Sequence, residues 1–521
     1  MIDESEELPP RPLDDVLSTA GVFGVIQVSV HISVFYLMLI VTGQVGAFFF
    51  TGYSPPWKCT ASRSSDFCYK HYNTTFSVDM ELFNQRCSLN RTEWRYVTDT
   101  TSSFVTEFDL VCTKTSTVAL IGVAYYLGCV LGVFLLGPIG DMWGRKRSLT
   151  LFLVVFMLSS IAIRYVGAVW HLYPLQLACG AGTVGSIVMS FIYISEFTPP
   201  RYRSTALNIH VLCQYISFML LDLLACFLKR WRLLSMYLAF LSLPFLAISF
   251  FLPESPRWLL TKRRWADAEL ILTKINQFNG KIKVQVMRER SENHPKNKVY
   301  TYWDIVSNCR VLCLTLQISS LWVVLPVLYY TISAQSMNYS CDVYLNYLLA
   351  SMADVPAFFL VTYTNDAIGR KKTTLFGCLL SGILIGLVPA IPRSFHYNYL
   401  FKMGLTVAAR LCCSVAFSGV WVWTSELFPT VMRAQGMAVC GIFEKAAMIG
   451  VPVICTLLQS LAFYLPFIVM GVMGVLGFLI GLPLPETKNQ QTREAYEDFF
   501  AKKVVAVINE VGIDNDGSEQ A

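Results

Sequence analysis

Twelve long apolar stretches constrain the fold of this chain more than any other feature of its sequence. A helix needs about 20 mostly apolar residues to cross a bilayer, and each stretch is about that long. We call the stretches spans 1 to 12, in chain order. They cover residues 22–50, 115–138, 148–168, 172–195, 205–228, 233–252, 310–333, 343–364, 373–391, 399–424, 434–458 and 461–483. The strands of a transmembrane barrel would be only about ten alternating residues long, so the pattern predicts an all-α membrane protein.

The low content of charged residues agrees with this prediction. Only 15% of the 521 residues are charged, whereas an average soluble domain carries roughly 25%. That is too few polar side chains to cover the surfaces of several soluble domains, so we expect the lipid bilayer to be a partner. The composition argues against a soluble enzyme, a disordered scaffold and a nucleic-acid binder.

The hydrophilic segment 51–112, which follows span 1, has the features of a secreted loop. Its cysteines are Cys59, Cys68, Cys87 and Cys112, and its glycosylation sequons begin at Asn73 and Asn90; a third sequon begins at Asn338, between spans 7 and 8. An even set of cysteines beside glycan acceptors predicts an oxidising, extracellular or lumenal location. Four cysteines allow three pairings, and the sequence does not choose among them.

Basic residues in the short loops orient the chain. The runs Arg145-Lys146-Arg147 and Arg370-Lys371-Lys372 both follow even-numbered spans, and short loops rich in Lys and Arg stay in the cytoplasm. This predicts a cytoplasmic N-terminus (1–21) and tail (485–521), with segment 51–112 outside. The first residues lack the basic region of a cleaved signal peptide, so span 1 is expected to be retained.

Three short motifs each occur twice along the chain. The second copies come in the same order as the first, and each lies nearly the same number of residues after its first copy. A glycine-and-aspartate turn follows spans 2 and 8, a glutamate ends spans 4 and 10, and a Pro-Glu pair ends spans 6 and 12. The separations along the chain are almost equal for the pairs Asp141 and Asp366, Glu196 and Glu426, and Pro253 and Pro485. The chain is therefore predicted to consist of two six-helix halves, 22–252 and 310–484, joined by a basic cytoplasmic linker, 253–309.

The repeated motifs also supply candidate gating residues. The turns must be tight, which needs glycine, and their aspartates can cap the next helix while their arginines bridge to neighbouring carboxylates. We expect these bridges to hold the cytoplasmic face closed and to part when it opens; the alternative is that they only anchor and cap the loops. The candidates are Asp141, Arg145, Glu196, Arg203, Glu254, Asp366, Arg370, Glu426, Arg433 and Glu486.

These motifs carry a resemblance to a known family. The string Gly137-Pro-Ile-Gly-Asp-Met-Trp-Gly-Arg-Lys146, with its weaker second copy, resembles the signature of the major facilitator superfamily. The Cys-rich first loop and several strings resemble its organic ion transporter family. The strings are Thr106-Glu-Phe-Asp-Leu-Val-Cys112, Glu196-Phe-Thr-Pro-Pro-Arg-Tyr-Arg203, Pro253-Glu-Ser-Pro-Arg-Trp-Leu-Leu260, Asp354-Val-Pro-Ala357 and Glu426-Leu-Phe-Pro-Thr-Val-Met-Arg433. Sugar porters share the Pro253 string but lack the large first loop.

The resemblance implies a fold and an activity. It implies two six-helix bundles around a central cavity, with substrate bound near the midplane and exposed to each side of the plasma membrane in turn. It implies a carrier without catalytic residues, metal or cofactor. The six histidines agree, because none is paired at helical spacing or in a zinc motif.

The charge of the substrate depends on rare ionisable residues inside the spans, and our candidates are Asp222, Arg410, Glu444 and Lys445. In the family that it resembles, the position of Lys445 is an acid in cation carriers and an arginine in anion and carnitine-type carriers. This predicts a negative group on the substrate. The alternative is that Lys445 pairs with a carboxylate such as Asp222; a pair with Glu444 is not expected, because adjacent helical residues point in different directions.

Further positions complete the predicted substrate site. Tyr329 and Tyr330 resemble a tyrosine pair of anion carriers, whereas Arg410 matches a position that is basic in both branches. Phe191 lies where cation carriers tend to have an aromatic residue of another kind, and Phe358 replaces a lysine that anion carriers tend to have. We therefore predict a polyspecific transporter of small organic anions or zwitterions. The alternatives are an organic cation transporter of the same family and, more remotely, a sugar-porter-like carrier.

Overall fold

The protein is built from membrane-length helices. The computed structural model describes residues 24–60, 66–71, 74–76, 81–278, 305–336, 343–392, 394, 396–429 and 432–488. Within them, eleven helical segments are long and apolar enough to cross a membrane, and Leu465–Gly481 is a shorter apolar helix. The prediction of an all-α membrane protein with twelve spans is confirmed.

The helices follow the predicted order, with breaks inside spans 1, 6 and 8. In the first half they are Val25–Val41 and Gly43–Thr51 (span 1), Thr115–Trp143, Arg145–Arg164, Leu172–Phe197, Pro200–Leu228, and Trp231–Leu241 with Leu243–Ser249 (span 6). In the second half they are Cys309–Ser336 (span 7), Val343–Ser351 with Asp354–Ile368 (span 8), Arg370–Gly386, Asn398–Leu427, Arg433–Leu461 and Leu465–Gly481. Two helices of the linker, Pro256–Thr261 and Trp265–Phe278, follow span 6.

The break in span 8 has a local cause and places a carboxylate inside the bundle. Pro356 lacks a backbone N–H and crowds the carbonyl of Met352, four residues earlier, so the helix stops and restarts there. Asp354 becomes the first residue of the second segment. A helix N-terminus carries partial positive charge, which favours an acid at that position.

The segment after span 1 folds as a small domain on one face of the bundle. Strands β1 (Trp57–Cys59), β2 (Thr75–Phe76) and β3 (Trp94–Tyr96) form an antiparallel sheet in the order β2-β1-β3. Two disulfides, Cys59–Cys68 and Cys87–Cys112, close its loops. The structure thus selects one of the three pairings that the sequence left open.

Glu107 of this small domain makes polar contacts with span 6. Arg232, at the start of span 6, contacts the Glu107 carboxylate at 2.7 Å and donates to the Val166 carbonyl at 2.6 Å. The Trp231 indole donates to the same carboxylate at 2.7 Å. We call the membrane face that carries this domain the loop face, and the opposite face, with the turns at Gly144 and Gly369, the basic face.

The two halves pack against each other toward the loop face. A Cβ on Gly122 of span 2 would lie 2.9 Å from Pro452 of span 11, so these helices touch there. Aromatic rings extend the contact, since Phe50 of span 1 stacks on Tyr344 of span 8, with ring centroids 5.6 Å apart. The adjacent Phe49 faces Tyr330 of span 7 at 6.3 Å.

Candidate functional site: two turn networks and a central ion pair

The turn between spans 2 and 3 forms one network with the ends of spans 4 and 6. The Arg145 guanidinium contacts the Asp141 carboxylate at 2.7 Å and the Glu196 carboxylate at 3.1 Å. Glu254, just after span 6, accepts hydrogen bonds from the backbone N–H groups of Arg145 and Lys146 at 2.8 and 3.0 Å. These N–H groups have no partner within their own helix, so the Glu254 carboxylate caps span 3.

The turn between spans 8 and 9 repeats this arrangement. Arg370 contacts Asp366 at 3.4 Å and Glu426 at 3.2 Å. Glu486, just after span 12, accepts hydrogen bonds from the backbone N–H groups of Arg370 and Lys371 at 3.0 and 3.4 Å. The recurrence of the three sequence motifs therefore reflects one network of contacts built twice.

Glycine makes both networks possible. The backbone φ angles of Gly144 and Gly369 are +101° and +102°, a conformation that residues with a Cβ rarely adopt. A Cβ on Gly144 would lie 2.4 Å from a Glu254 carboxylate oxygen, and one on Gly369 would lie 2.5 Å from the equivalent oxygen of Glu486. Another residue at either position would strain the turn and displace the capping carboxylate.

A second pair of contacts holds the end of each half to its own bundle. The Tyr193 hydroxyl of span 4 donates to the Pro253 carbonyl, and the Trp423 indole of span 10 donates to the Pro485 carbonyl at 3.0 Å. We did not recognise Tyr193 and Trp423 as equivalent in the sequence, because one is a tyrosine and the other a tryptophan. Their separation along the chain, equal to that of Glu196 and Glu426, was the signal that could have found them.

The networks differ from the expected gate in two ways. Glu254 and Glu486, rather than the two aspartates of the turns, cap the following helices. In addition, each arginine–glutamate bridge joins helices of the same half. Of the other candidates, Arg203 donates to the Ser195 carbonyl at 3.1 Å, and Arg433 interacts electrostatically with Glu426. The gating role of these residues stays a prediction.

At the centre of the molecule, Lys445 pairs with its neighbour Glu444. The Lys445 Nζ atom lies 2.6 Å from a Glu444 carboxylate oxygen, with 24% of the lysine and 4% of the glutamate side chain exposed. Our expectation that adjacent helical residues would not pair was wrong, since the long lysine side chain can fold back along the helix. Asp222, the alternative partner that we considered, accepts instead from the Ser351 hydroxyl.

The Lys445–Glu444 pair lies where the two halves meet. Lys445 follows Arg433 by twelve residues, which places it about 18 Å along a helix of 29 residues and so near its middle. Both charges interact electrostatically with Cys129 of span 2, in the other half, and Glu444 does so with Tyr330 of span 7. A part-exposed cation and a nearly buried anion thus lie side by side at the interface of the halves.

Arg410, a predicted substrate-binding residue, belongs to a separate buried cluster. Both Arg410 and Asp354 are 0% exposed, and the Arg410 Nε and Nη2 atoms contact the two Asp354 carboxylate oxygens at 3.0 and 2.7 Å. Nη2 also donates to the Tyr329 hydroxyl at 2.6 Å, and Nη1 donates to Ser333. In this conformation, protein partners occupy four of the five guanidinium hydrogens. We named Asp354 in the sequence only as part of a motif string, although it is an acid inside span 8 and that signal could have found it.

Aromatic side chains from both halves face each other between the central pair and the basic face. The Phe191 ring of span 4 lies 6.4 Å from that of Trp421 of span 10, which packs on Trp322 of span 7 at 4.3 Å. Trp421 is 39% exposed although it lies between these helices. The space between the halves is therefore accessible beside Trp421, whereas toward the loop face the halves are in contact.

The predicted substrate-binding residues differ in how exposed they are, and only one of the predicted glycosylation sites lies among the described residues. Lys445 and Phe191 are part-exposed between the halves, whereas Tyr329 and Tyr330 are buried. Asn90 is exposed on the small domain. The sequons at Asn73 and Asn338 lie outside the described residues. Among the described residues, no group of three or more His, Cys, Asp and Glu side chains is arranged to hold a metal ion.

Comparison with known proteins agrees with this architecture. A family model described as "Sugar (and other) transporter" matches residues 57–499. The proton:xylose symporter XylE, bound to 6-bromo-6-deoxy-D-glucose, superimposes with a TM-score of 0.60 at 20% identity, covering 90% of this chain and 98% of that one. An inward-open conformation of XylE from E. coli gives a TM-score of 0.59 at 16% identity, covering 92% and 98%. At these identities the likeness shows the fold alone.

Relatives in sequence are more informative. The chain is 28% identical to the mouse organic cation/carnitine transporter 2 over 432 residues, covering 80% of this chain and 76% of the relative. It is 30% identical to solute carrier family 22 member 4 of mouse over 421 residues, covering 79% and 74%. It is 26% identical to the Caenorhabditis elegans organic cation transporter 1 over 536 residues, covering 95% and 90%.

The fold, the duplicated turn networks and these matches define a multi-pass membrane transporter of the major facilitator class, not an enzyme. More narrowly, the chain belongs to the sugar (and other) transporter family and, within it, to solute carrier family 22. The resemblance found in the motifs is confirmed.

Proposed function

We propose that this protein carries small organic anions or zwitterions across the plasma membrane by alternating access. The observation that carries the proposal is the ion pair of Lys445 and Glu444, near the middle of span 11 and at the interface of the halves. An ionisable group inside the membrane is costly and marks a substrate pathway. The names of relatives that include carnitine, a zwitterion, support the same class of substrate.

The pairing of Lys445 favours the zwitterion within this class. A substrate carboxylate that approaches Lys445 must compete with the Glu444 carboxylate, 2.6 Å away. A zwitterion offers a positive group to Glu444 at the same time as a negative group to Lys445, so neither protein charge is left unpaired. A simple anion would leave Glu444 without its partner, and we expect it to bind more weakly.

An organic cation is the second candidate, and two observations favour it. Glu444 is the more deeply buried member of the pair, and the exposed ring of Trp421 lies on the open side of the interface. Cations are attracted to carboxylates and to aromatic faces. If the protein carried cations, Lys445 would serve to hold Glu444 rather than to bind substrate.

We propose further that the two networks at the Gly144 and Gly369 turns hold each half rigid while the halves rock against each other. Each network ties the ends of four helices within one half, through Arg145 and Glu254 or through Arg370 and Glu486. The predicted orientation places these networks on the cytoplasmic face. Movement of the halves about their contacts would then expose the central pair to one face at a time.

Uptake of three labelled compounds in cells that express the protein tests the substrate class. The compounds are carnitine, a p-aminohippurate-like anion and tetraethylammonium. Lys445→Ala should lower carnitine uptake by about 10- to 150-fold, because a hydrogen bond to a charged group contributes about 1.5–3 kcal/mol. Glu444→Gln should lower it as well, whereas Lys114→Ala, which removes an exposed lysine outside the spans, should not. Surface expression of each variant is measured in parallel.

Other outcomes identify the alternatives. Loss of tetraethylammonium uptake in Glu444→Gln, with full uptake in Lys445→Ala, would assign the protein to the cation carriers. Uptake of the p-aminohippurate-like anion that depends on Lys445 alone would make it an anion carrier. Uptake that rises without saturation would contradict a carrier mechanism.

A further inference from the structure

Asp222 is a buried acid that the proposed transport mechanism does not use. It lies on span 5 and is 0% exposed. One carboxylate oxygen accepts a hydrogen bond from the Ser351 hydroxyl of span 8. The other carboxylate oxygen, Oδ1, is buried and has no hydrogen-bond partner among the described residues.

The surroundings of Asp222 give it little compensating charge. The charged groups that interact with it are Arg410 and Asp354, which neutralise each other in their own bidentate pair, and the titratable Tyr347 of span 8 is also near. At the adjacent residue Leu221, span 1 brings Gly43 and Gly46 against span 5, with Leu238 of span 6 beside Gly43 and the Tyr347 hydroxyl beside Gly46.

A carboxylate in such a place is stable only if it is neutral. An ionised carboxylate that is buried without a cationic partner carries a large desolvation cost, and the group takes up a proton instead. A single neutral hydroxyl does not replace the water that an exposed carboxylate binds. In the conformation described here, Asp222 therefore holds a proton.

The position of Asp222 couples that proton to conformation. Its partner Ser351 belongs to the other half, in the part of the interface that packs toward the loop face. If the halves separate at the loop face, as alternating access requires, the contact breaks and water reaches the carboxyl group. The group is then free to ionise, and it must bind a proton again before the loop face closes.

We infer that Asp222 is a proton-binding site whose occupancy closes the loop face of the transporter. This inference rests on the proposed alternating-access mechanism. One proton passes from the solution at the loop face to the Asp222 carboxylate as the halves close, and it returns when they part. The equilibrium between open and closed forms should shift by up to about tenfold per pH unit in the range where this proton is exchanged.

Cys455 provides a native reporter of the loop face. It lies on span 11 beside Thr331 of span 7, with 3.7 Å between Sγ and Oγ1, and it interacts with Tyr126 of span 2 in the other half. Cys455 is part-exposed in this conformation, and separation of the halves at the loop face should expose it further. The experiment measures the rate at which N-ethylmaleimide modifies Cys455 in protein reconstituted in nanodiscs, with modification at this cysteine counted by mass spectrometry.

The comparison is made between wild type and Asp222→Asn from about pH 5 to 9. The asparagine has the shape of the protonated acid but does not titrate, so it should hold the loop face closed at every pH. Thiol reactivity itself rises with pH, so the readout is the ratio of the wild-type rate to the Asp222→Asn rate. We expect this ratio to rise several-fold with pH. A ratio that is constant with pH would overturn the inference.

Ser351→Ala shows whether the pH effect comes from the proton on Asp222 or from the hydrogen bond to Ser351. It breaks the same contact but keeps the titratable group, so its rate relative to Asp222→Asn should still rise with pH. A flat ratio in Ser351→Ala, with a rising one in wild type, would also overturn the inference. Asp222→Ser is a second non-titrating side chain should the asparagine variant fail to fold. The labelling needs no substrate, so the inference can fail while the uptake results hold, and the reverse.

Discussion

The buried pair of Asp354 and Arg410 allows the sharpest test of how this half of the bundle is held together. Both side chains are 0% exposed. The Asp354 carboxylate accepts hydrogen bonds from Arg410 Nε, Arg410 Nη2, Tyr329 and Ser414 at 3.0, 2.7, 2.9 and 2.5 Å. Asp354→Asn keeps the shape of the side chain but leaves the arginine as an uncompensated buried charge. Breaking a buried pair in this way costs about 3–5 kcal/mol.

The reverse substitution and the double variant complete the test. Arg410→Met should also destabilise the protein, because Asp354 is then left without its cation, but by less than Asp354→Asn, since a carboxylate can take up a proton whereas an arginine cannot lose one. The double variant buries no charge at all, so it should be more stable than either single variant. The free energy of unfolding of each purified protein is measured by denaturant titration in detergent. The coupling energy between the two positions should reach about 2–3 kcal/mol.

An exposed pair in the same half serves as the control. Asp366→Asn removes a carboxylate that is 77% exposed and lies 3.4 Å from Arg370, and exposed pairs contribute less than about 1 kcal/mol. The reasoning is refuted if Asp354→Asn costs no more than this control. It is also refuted if the effects of Asp354→Asn and Arg410→Met simply add in the double variant.

Two further predictions concern the turn at Gly144 and the small domain. Gly144→Ala should destabilise the protein by about 2–4 kcal/mol through backbone strain and loss of the Glu254 cap. Gly137→Ala is the control, because a Cβ there meets nothing within 4 Å, and it should be neutral or stabilising. Equal melting temperatures for the two variants would contradict this account. Burial alone raises the pKa of Glu107, but the hydrogen bonds from Arg232 and Trp231 outweigh it and hold the pKa below its usual value. The contribution of this contact to stability is therefore complete above the pKa of the unfolded chain and is lost as the pH falls through the lowered, folded-state pKa. Thermal unfolding between about pH 7 and pH 3 should show a smaller acid-induced loss in Glu107→Gln than in wild type, and parallel losses would count against the prediction.

The repeated motifs allowed much of the fold and part of the site to be predicted. Nearly equal spacings between the motif copies revealed the duplication, and the structure shows the same contacts at Arg145 and Arg370. Which carboxylate caps the next helix could not be read from the motif, because Glu254 reaches the turn from more than a hundred residues away. The Lys445–Glu444 pair was missed for a different reason: the rule that adjacent helical residues diverge ignores the length of the lysine side chain.

The sequence by itself determined the class of this protein. Hydrophobic length, charge placement and internal repetition are properties of the linear chain, and they specified twelve helices and their order. The transporter family was indicated by motif strings that resemble those of known carriers. Only the tertiary structure decided the pairing of the cysteines, the assignment of Arg410 to a buried cluster with Asp354, and the meeting of Asp222 with Ser351 across the halves. The physical reason is that a buried charge takes its behaviour from partners that the fold brings together, and those partners lie far apart in the chain.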